Sequence, residues 1–215
     1  MWKVQISLLL MFAGIMVSAQ SKIDLTFESN YYFAVQSQQP PFASTPEIEH
    51  YMVPVTLSAI VHLPANLYLK AGIGYRIEKH TPLTNPSQEV KRSLSAWEYG
   101  LGPGFAMSFG KFSPFLEASG VYSESFMGKT SYEDLNSNVI NTSSRYNEGK
   151  YFDLQFSSGA SYKINDRLHI GLKINGRTPV WRRSYSTKDY KFIYRFNSYY
   201  KNVLLGGGVS VQYSL

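Results

Sequence analysis

The chain has 215 residues, 44% of them hydrophobic and 15% aromatic, with a formal net charge of +6 and no cysteine. This composition excludes a disordered chain. The missing cysteine excludes disulfides, a thiol nucleophile and a lipidated cysteine behind a leader.

At the N-terminus, Lys3 precedes an apolar run from Ile6 to Val17, and the small residues Val17 and Ala19 stand just before Gln20. This is the pattern of a secretory signal peptide over residues 1–19. The run of about 12 apolar residues is too short for a membrane helix, which needs roughly 20. Residues 20–215 then form one exported domain, and export removes nucleic acid as a partner despite the basic charge.

Beyond residue 20, segments of roughly 10 residues alternate apolar and polar positions, the period of membrane-spanning strands. The first strand sets Ile23, Leu25, Phe27, Tyr31, Phe33 and Val35 against Asp24, Thr26, Glu28 and Asn30. The second sets Val53, Val55, Leu57, Ala59 and Val61 against Thr56, Ser58 and His62; after turn chemistry at 63–66, the third sets Leu67, Leu69, Ala71, Ile73, Tyr75 and Ile77 against Tyr68, Lys70, Arg76 and Glu78. The fourth strand pairs Trp97, Tyr99, Leu101, Phe105, Met107 and Phe109 with Glu98, three glycines and Ser108, and its Pro103 calls for a place where no ladder donor is needed, such as a bulge. The fifth sets Leu116, Ala118 and Tyr122 against Glu117 and Ser119, with Phe115 and Val121 on the polar face.

Phe152 to Ile164 and Leu168 to Arg177, joined by Asn165-Asp166-Arg167, read as the clearest hairpin, with Asp153, Lys163, Lys173 and Arg177 on its polar face. The last strand carries Tyr199, Val203, Leu205, Val209, Val211, Tyr213 and Leu215 on one face, and Gly206, Gly207 and Gly208 offer a place to bend. Eight strands result, linked by short turns at 63–66, 110–113 and 165–167 and long connections at 37–50, 79–94, 127–148 and 178–198. The expected fold is all-β, an eight-stranded antiparallel up-and-down transmembrane β-barrel. A soluble barrel of the same strand count would put its apolar face inward. Long apolar rows free of charge, ended by aromatics such as Tyr31, Trp97, Tyr99 and Tyr213, favour the membrane form.

On this pattern the chain resembles the small eight-stranded outer-membrane proteins of the OmpA, OmpX and OmpW type, and the outer-membrane β-barrel domain proteins of Bacteroidota. The alternating end Val209-x-Val211-x-Tyr213-x-Leu215 is similar to the C-terminal signal of that class, with Leu215 in place of the usual aromatic. The resemblance implies a Gram-negative outer membrane, both termini in the periplasm, and barrel-assembly machinery as a partner in biogenesis.

The polar faces bring Glu28, Lys70, Arg76, Glu98, Glu117, Asp153, Lys163, Lys173 and Arg177 into a narrow lumen, where unpaired charge would be costly. A network of ion pairs filling the lumen is the expected arrangement. A narrow pore is an alternative reading of the same residues. Outside the lumen, the last long connection concentrates Arg182, Arg183, Lys188, Lys191 and Arg195 among Trp181 and Tyr185, a chemistry suited to phosphate and sugar. This loop is the candidate site for lipopolysaccharide, and Gly128 to Gly149 reads as a mobile surface loop.

The histidines, His50, His80, His62 and His169, form no nucleophile, base or metal spacing, so no enzyme, metal or cofactor is expected. The function expected is structural or surface-binding. An accessory subunit of a larger outer-membrane transport or secretion complex and a lipid A-modifying enzyme are the alternatives.

Overall fold

A computed structural model describes residues 22–34, 47–85, 88–134, 139–145, 147–186 and 203–215. The expected leader, residues 1–19, lies outside them, as do Val35 and Tyr199.

Among the described residues there are nine strands: β1 (Ile23–Ala34), β2 (Glu47–His62), β3 (Leu67–Asn85), β4 (Gln88–Ala106), β5 (Phe112–Asp134), β6 (Val139–Arg145), β7 (Asn147–Lys163), β8 (Leu168–Ser186) and β9 (Leu204–Ser214). Eight of them form the barrel. Each pairs antiparallel with its neighbour in sequence, β5 passes directly to β7, and β9 returns to β1 to close the ring. The expected eight-stranded barrel is therefore the structure of the chain. The remaining strand, β6, is an addition, pairing among the described residues with the far half of β5.

The register fixes the shape. A row of directly paired residues leaves β3 at Tyr68 and runs through Gly104, Glu117, Ser157, Asn175, Gly206, Tyr32 and Met52. It re-enters β3 at Glu78, ten residues further along. With ~4.8 Å between strands and ~3.3 Å per residue, that stagger tilts eight strands by about 40° and gives a radius of about 8 Å, a lumen that side chains fill.

One end is tight. At Pro64 to Leu67 both central residues, Ala65 and Asn66, have positive φ (61° and 62°), the requirement of a type I′ turn, and Ala65 meets it without being glycine. Gly110 takes the positive φ in the second turn, where Phe112 N–H donates to the Phe109 carbonyl at 3.1 Å. In the third, Asn165 Oδ1 accepts from the N–H groups of Arg167 and Leu168, both at 2.9 Å. Both described chain ends lie here too, with Leu215 N–H donating to the Ile23 carbonyl at 3.0 Å.

The other end is long. The hairpin β3–β4 continues to Asn85 and Gln88, and β8 to Ser186, so much of the expected long connections is paired strand. The region read as a mobile loop, 128–149, is likewise corrected: it holds the end of β5 and all of β6. β5 has 23 residues, while a tilted membrane strand needs about 9–11, so the excess stands clear of the bilayer at the hairpin end.

Pro103 sits where no donor is needed, as its chemistry requires, but at no bulge. The β4–β5 ladder is paired up to Leu101 and resumes at Gly104 in unchanged register; the register shift between these strands falls at Ser95/Ala96. At the closure seam, β9 approaches β1 so closely that a Cβ on Gly206 would lie 2.1 Å from the Tyr31 carbonyl oxygen.

Candidate functional site: a closed polar lumen

The two faces of each strand are inverted relative to a water-soluble barrel. Leu172 and Ile174 are 66% and 71% exposed, whereas Lys173 and Arg177 on the same strand are 5% and 1% exposed. Burying charge while exposing apolar surface is tenable only where the outer medium is hydrocarbon.

Apart from Asp24, the charges that face the lumen among the described residues form two groups, one above the other. Nearer the turns, Glu28 of β1 holds both Lys70 and Lys173, the latter at 2.8 Å, and Lys70 Nζ also donates to Glu117 at 3.0 and 3.1 Å. Tyr68 completes this group, its hydroxyl donating to Glu117 at 2.9 Å. Gly104 makes room for it, since a Cβ there would lie 2.1 Å from the Tyr68 ring. Two carboxylates and two ammonium groups thus balance on four strands.

Nearer the hairpins, Arg177 donates from Nε to Asp153 at 2.7 Å and from Nη2 to Glu98 at 2.8 Å. Arg76 donates to the same Glu98 oxygen at 3.1 Å, and its guanidinium lies 5.4 Å from the Tyr151 ring centroid. Ser123 bridges, donating to Glu98 at 3.1 Å and accepting from Arg177 at 3.1 Å. Arg76 reaches Glu78 as well, at 3.4 Å. The arginine forks suit this position because each reaches two partners at once.

Between the groups, Asn175 donates to Asn30 at 2.9 Å, and a cavity of about 50 Å³ adjoins Glu28, Asn30 and Glu98. That is space for isolated waters. Arg76 Nε, Arg177 Nη1 and Asp153 Oδ1 are buried without a hydrogen-bond partner among the described residues. Tyr32, Met52 and Leu204 form an apolar cluster on β1, β2 and β9 toward the hairpin end.

At the turn end Asp24 accepts from His62 Nε2 at 2.6 Å and from Gln212 at 2.5 Å. No cluster of metal-ligating side chains occurs among the described residues. In the third turn, Lys163 Nζ lies 2.7 Å from Asp166. The hydrogen bond and charge of Lys163 hold the Asp166 carboxyl below its ordinary value of 3.8.

Eight of the nine charges read into the lumen from sequence, Glu28, Lys70, Arg76, Glu98, Glu117, Asp153, Lys173 and Arg177, are brought together in the two groups. Lys163 is not, because it stands at the last position of β7 and turns to the hairpin loop. Sequence reasoning missed Ser123, which the period of two carried on from Glu117 and Ser119 would have supplied. Val121, on the wrong face by composition, is indeed buried in the lumen at 6% exposure. Of the loop candidates, Trp181 is exposed on β8, while the side chains of Arg182, Arg183, Tyr185, Lys188, Lys191 and Arg195 lie outside the described residues.

Closed ring, alternating faces and filled lumen together define a small eight-stranded transmembrane β-barrel. No protein-family model matches the chain, and no curated protein matches it in sequence. Among solved structures, it is similar to Neisserial surface protein A, at 11% identity and a TM-score of 0.46 over 90% of this chain and 97% of that one. It is similar also to Ail, the attachment invasion locus protein of Yersinia pestis, at 6% identity and a TM-score of 0.47 over 92% and 100%. A third is the outer membrane protein OprG from Pseudomonas aeruginosa, at 8% identity and a TM-score of 0.47 over 91% and 96%.

Proposed function

We propose that this barrel is a non-catalytic protein of a bacterial outer membrane, its turns and termini in the periplasm, and that it acts through the hairpins above the bilayer. The observation that carries this reading is the lumen. Two groups of ion pairs occupy the narrow interior that an eight-stranded ring provides, which supports a lumen without a conducting path or a substrate pocket. Strands that run well past the membrane form a rigid platform for contacts with other molecules.

The basic and aromatic residues Arg182, Arg183, Lys188, Lys191, Arg195, Trp181 and Tyr185 are the proposed surface contacts for lipopolysaccharide. During biogenesis, barrel-assembly machinery is the proposed partner for β9.

The test is electrical. Purified barrel inserted in a planar bilayer should give no stepwise conductance, and regular single-channel steps from the intact protein would overturn the closed-lumen reading. Neutralising the five loop cations together should leave folding intact and weaken lipopolysaccharide binding. Unchanged binding would remove that surface role.

A further inference from the structure

The outer wall carries a groove. Outward side chains stand in parallel rows that follow the interstrand pairing, and two neighbouring rows diverge in height. In one, Ala118 pairs with Phe156, Phe156 with Gly176, Gly176 with Leu205 and Leu205 with Phe33. In the other, Phe105 pairs with Leu116, Leu116 with Ser158 and Ser158 with Ile174. Small residues, Ala118, Ser158 and Gly176, leave a trough between the larger ones, with a volume of about 780 Å³ and an overwhelmingly apolar lining.

The trough has a direction. It crosses from β4 to β1 in five strand steps, ~24 Å at ~4.8 Å each, and climbs about 16 Å at the strand tilt. That is one leaflet's share of a hydrocarbon core of about 30 Å. Its upper row then continues, by direct pairing, from Phe33 to Tyr51 and from Tyr51 to Lys79. Tyr51 stacks on Tyr31 at 5.9 Å between ring centroids, and Lys79 Nζ lies 5.7 Å from the Tyr51 ring. Among the described residues Lys79 has no carboxylate in ion-pair contact, although it is exposed on the outer face. An apolar channel one leaflet high therefore ends, on the hairpin side, at a cation over the ring of Tyr51, which itself stacks on Tyr31.

We infer that this wall seats one acyl chain of a phosphorylated glycolipid of the outer leaflet, with its phosphate at Lys79 and a sugar ring against Tyr31 and Tyr51. Charge complementarity selects an anionic headgroup. The two stacked rings select a sugar beside it, and the trough selects a chain rather than a broad partner face. The inference rests on the hairpin end facing outward, as proposed above.

The test uses the full barrel refolded in neutral detergent, with hexa-acylated lipid A as the added probe and native mass spectrometry as the readout. The heat-dependent gel shift of a folded barrel is scored in parallel. One lipid A per barrel is expected, weakened about tenfold by Lys79→Gln. Gly176→Phe fills the trough without a backbone clash, since a Cβ there meets only Leu205 at 3.8 Å, and should weaken retention comparably. Full retention by both variants in the folded state overturns the site. Equal retention of phosphatidylglycerol or phosphatidylcholine overturns the glycolipid assignment. A barrel that folds yet binds no lipid A sinks this inference alone, whereas a chain that forms no heat-modifiable barrel would sink the membrane-barrel reading beneath it.

Discussion

The lumen and the outer wall are made by the same residues' neighbours, one position apart on every strand, yet they depend on opposite physics. Lumen stability is specific: each charge is placed against named partners, and the desolvation cost of burying it is offset only while those partners remain. Wall stability is generic, because any apolar side chain of suitable size suits hydrocarbon. The difference teaches where the chain is brittle. A lumen position tolerates no loss of charge balance, whereas a wall position tolerates any change that stays apolar.

The largest effect that would test this contrast is Arg177→Met. It leaves Glu98 and Asp153 buried beside a neutral side chain and should cost about 3–5 kcal/mol, read as a lower urea midpoint in detergent or lipid. A loss under about 1 kcal/mol would mean that waters, not Arg177, satisfy these carboxylates. Next is Ile174→Lys on the wall, an exchange that would be harmless at a position 71% exposed to water. In a bilayer it should cost about 2–4 kcal/mol, while Ile174→Leu should cost almost nothing.

Smaller effects come from the turn end. Ala65→Gly relieves a positive φ that an alanine side chain resists and should stabilise the barrel by about 1 kcal/mol in the same unfolding measurement. Smallest is the Lys163 contact with Asp166. The folded carboxyl titrates below its unfolded value of 3.8, so its contribution is complete above that value and is lost as pH falls through it towards the lower folded value. The gap in unfolding midpoint between the intact chain and Asp166→Asn should therefore close as pH drops below about 4. A gap that persists in acid would assign the effect to turn geometry instead.

Much of this was legible from sequence because a period of two reports the side of the sheet directly. The inward positions of Asp24, Glu28, Lys70, Arg76, Glu98, Asp153 and Arg177 followed from alternation with apolar neighbours. Pairing within the lumen was not legible. Which cation meets which carboxylate depends on the ten-residue stagger of the ring, a property of all the registers at once that no single strand encodes. Lys163 shows the limit in miniature: its parity is inward, but a turn carboxylate three residues on is nearer than any lumen partner. β6 escaped because Val139–Arg145 is short and polar, and its strand form comes from pairing with β5 rather than from its own pattern. The wall groove lay hidden for a further reason, since Ala118, Ser158 and Gly176 come from three strands and become neighbours only through register.

The closure seam also sets an order of events. β1 and β9 are joined along eleven consecutive residue pairs, from Asp24 with Ser214 to Ala34 with Leu204. The first strand of the barrel to be synthesised therefore waits for the last. Until the C-terminal residues arrive, each intermediate is an open sheet with two bare edges and an exposed apolar face, the kind of species that aggregates. Ring closure by the most distant segments of the chain makes folding slow by topology. A chain built this way has no closed barrel until β9 meets β1.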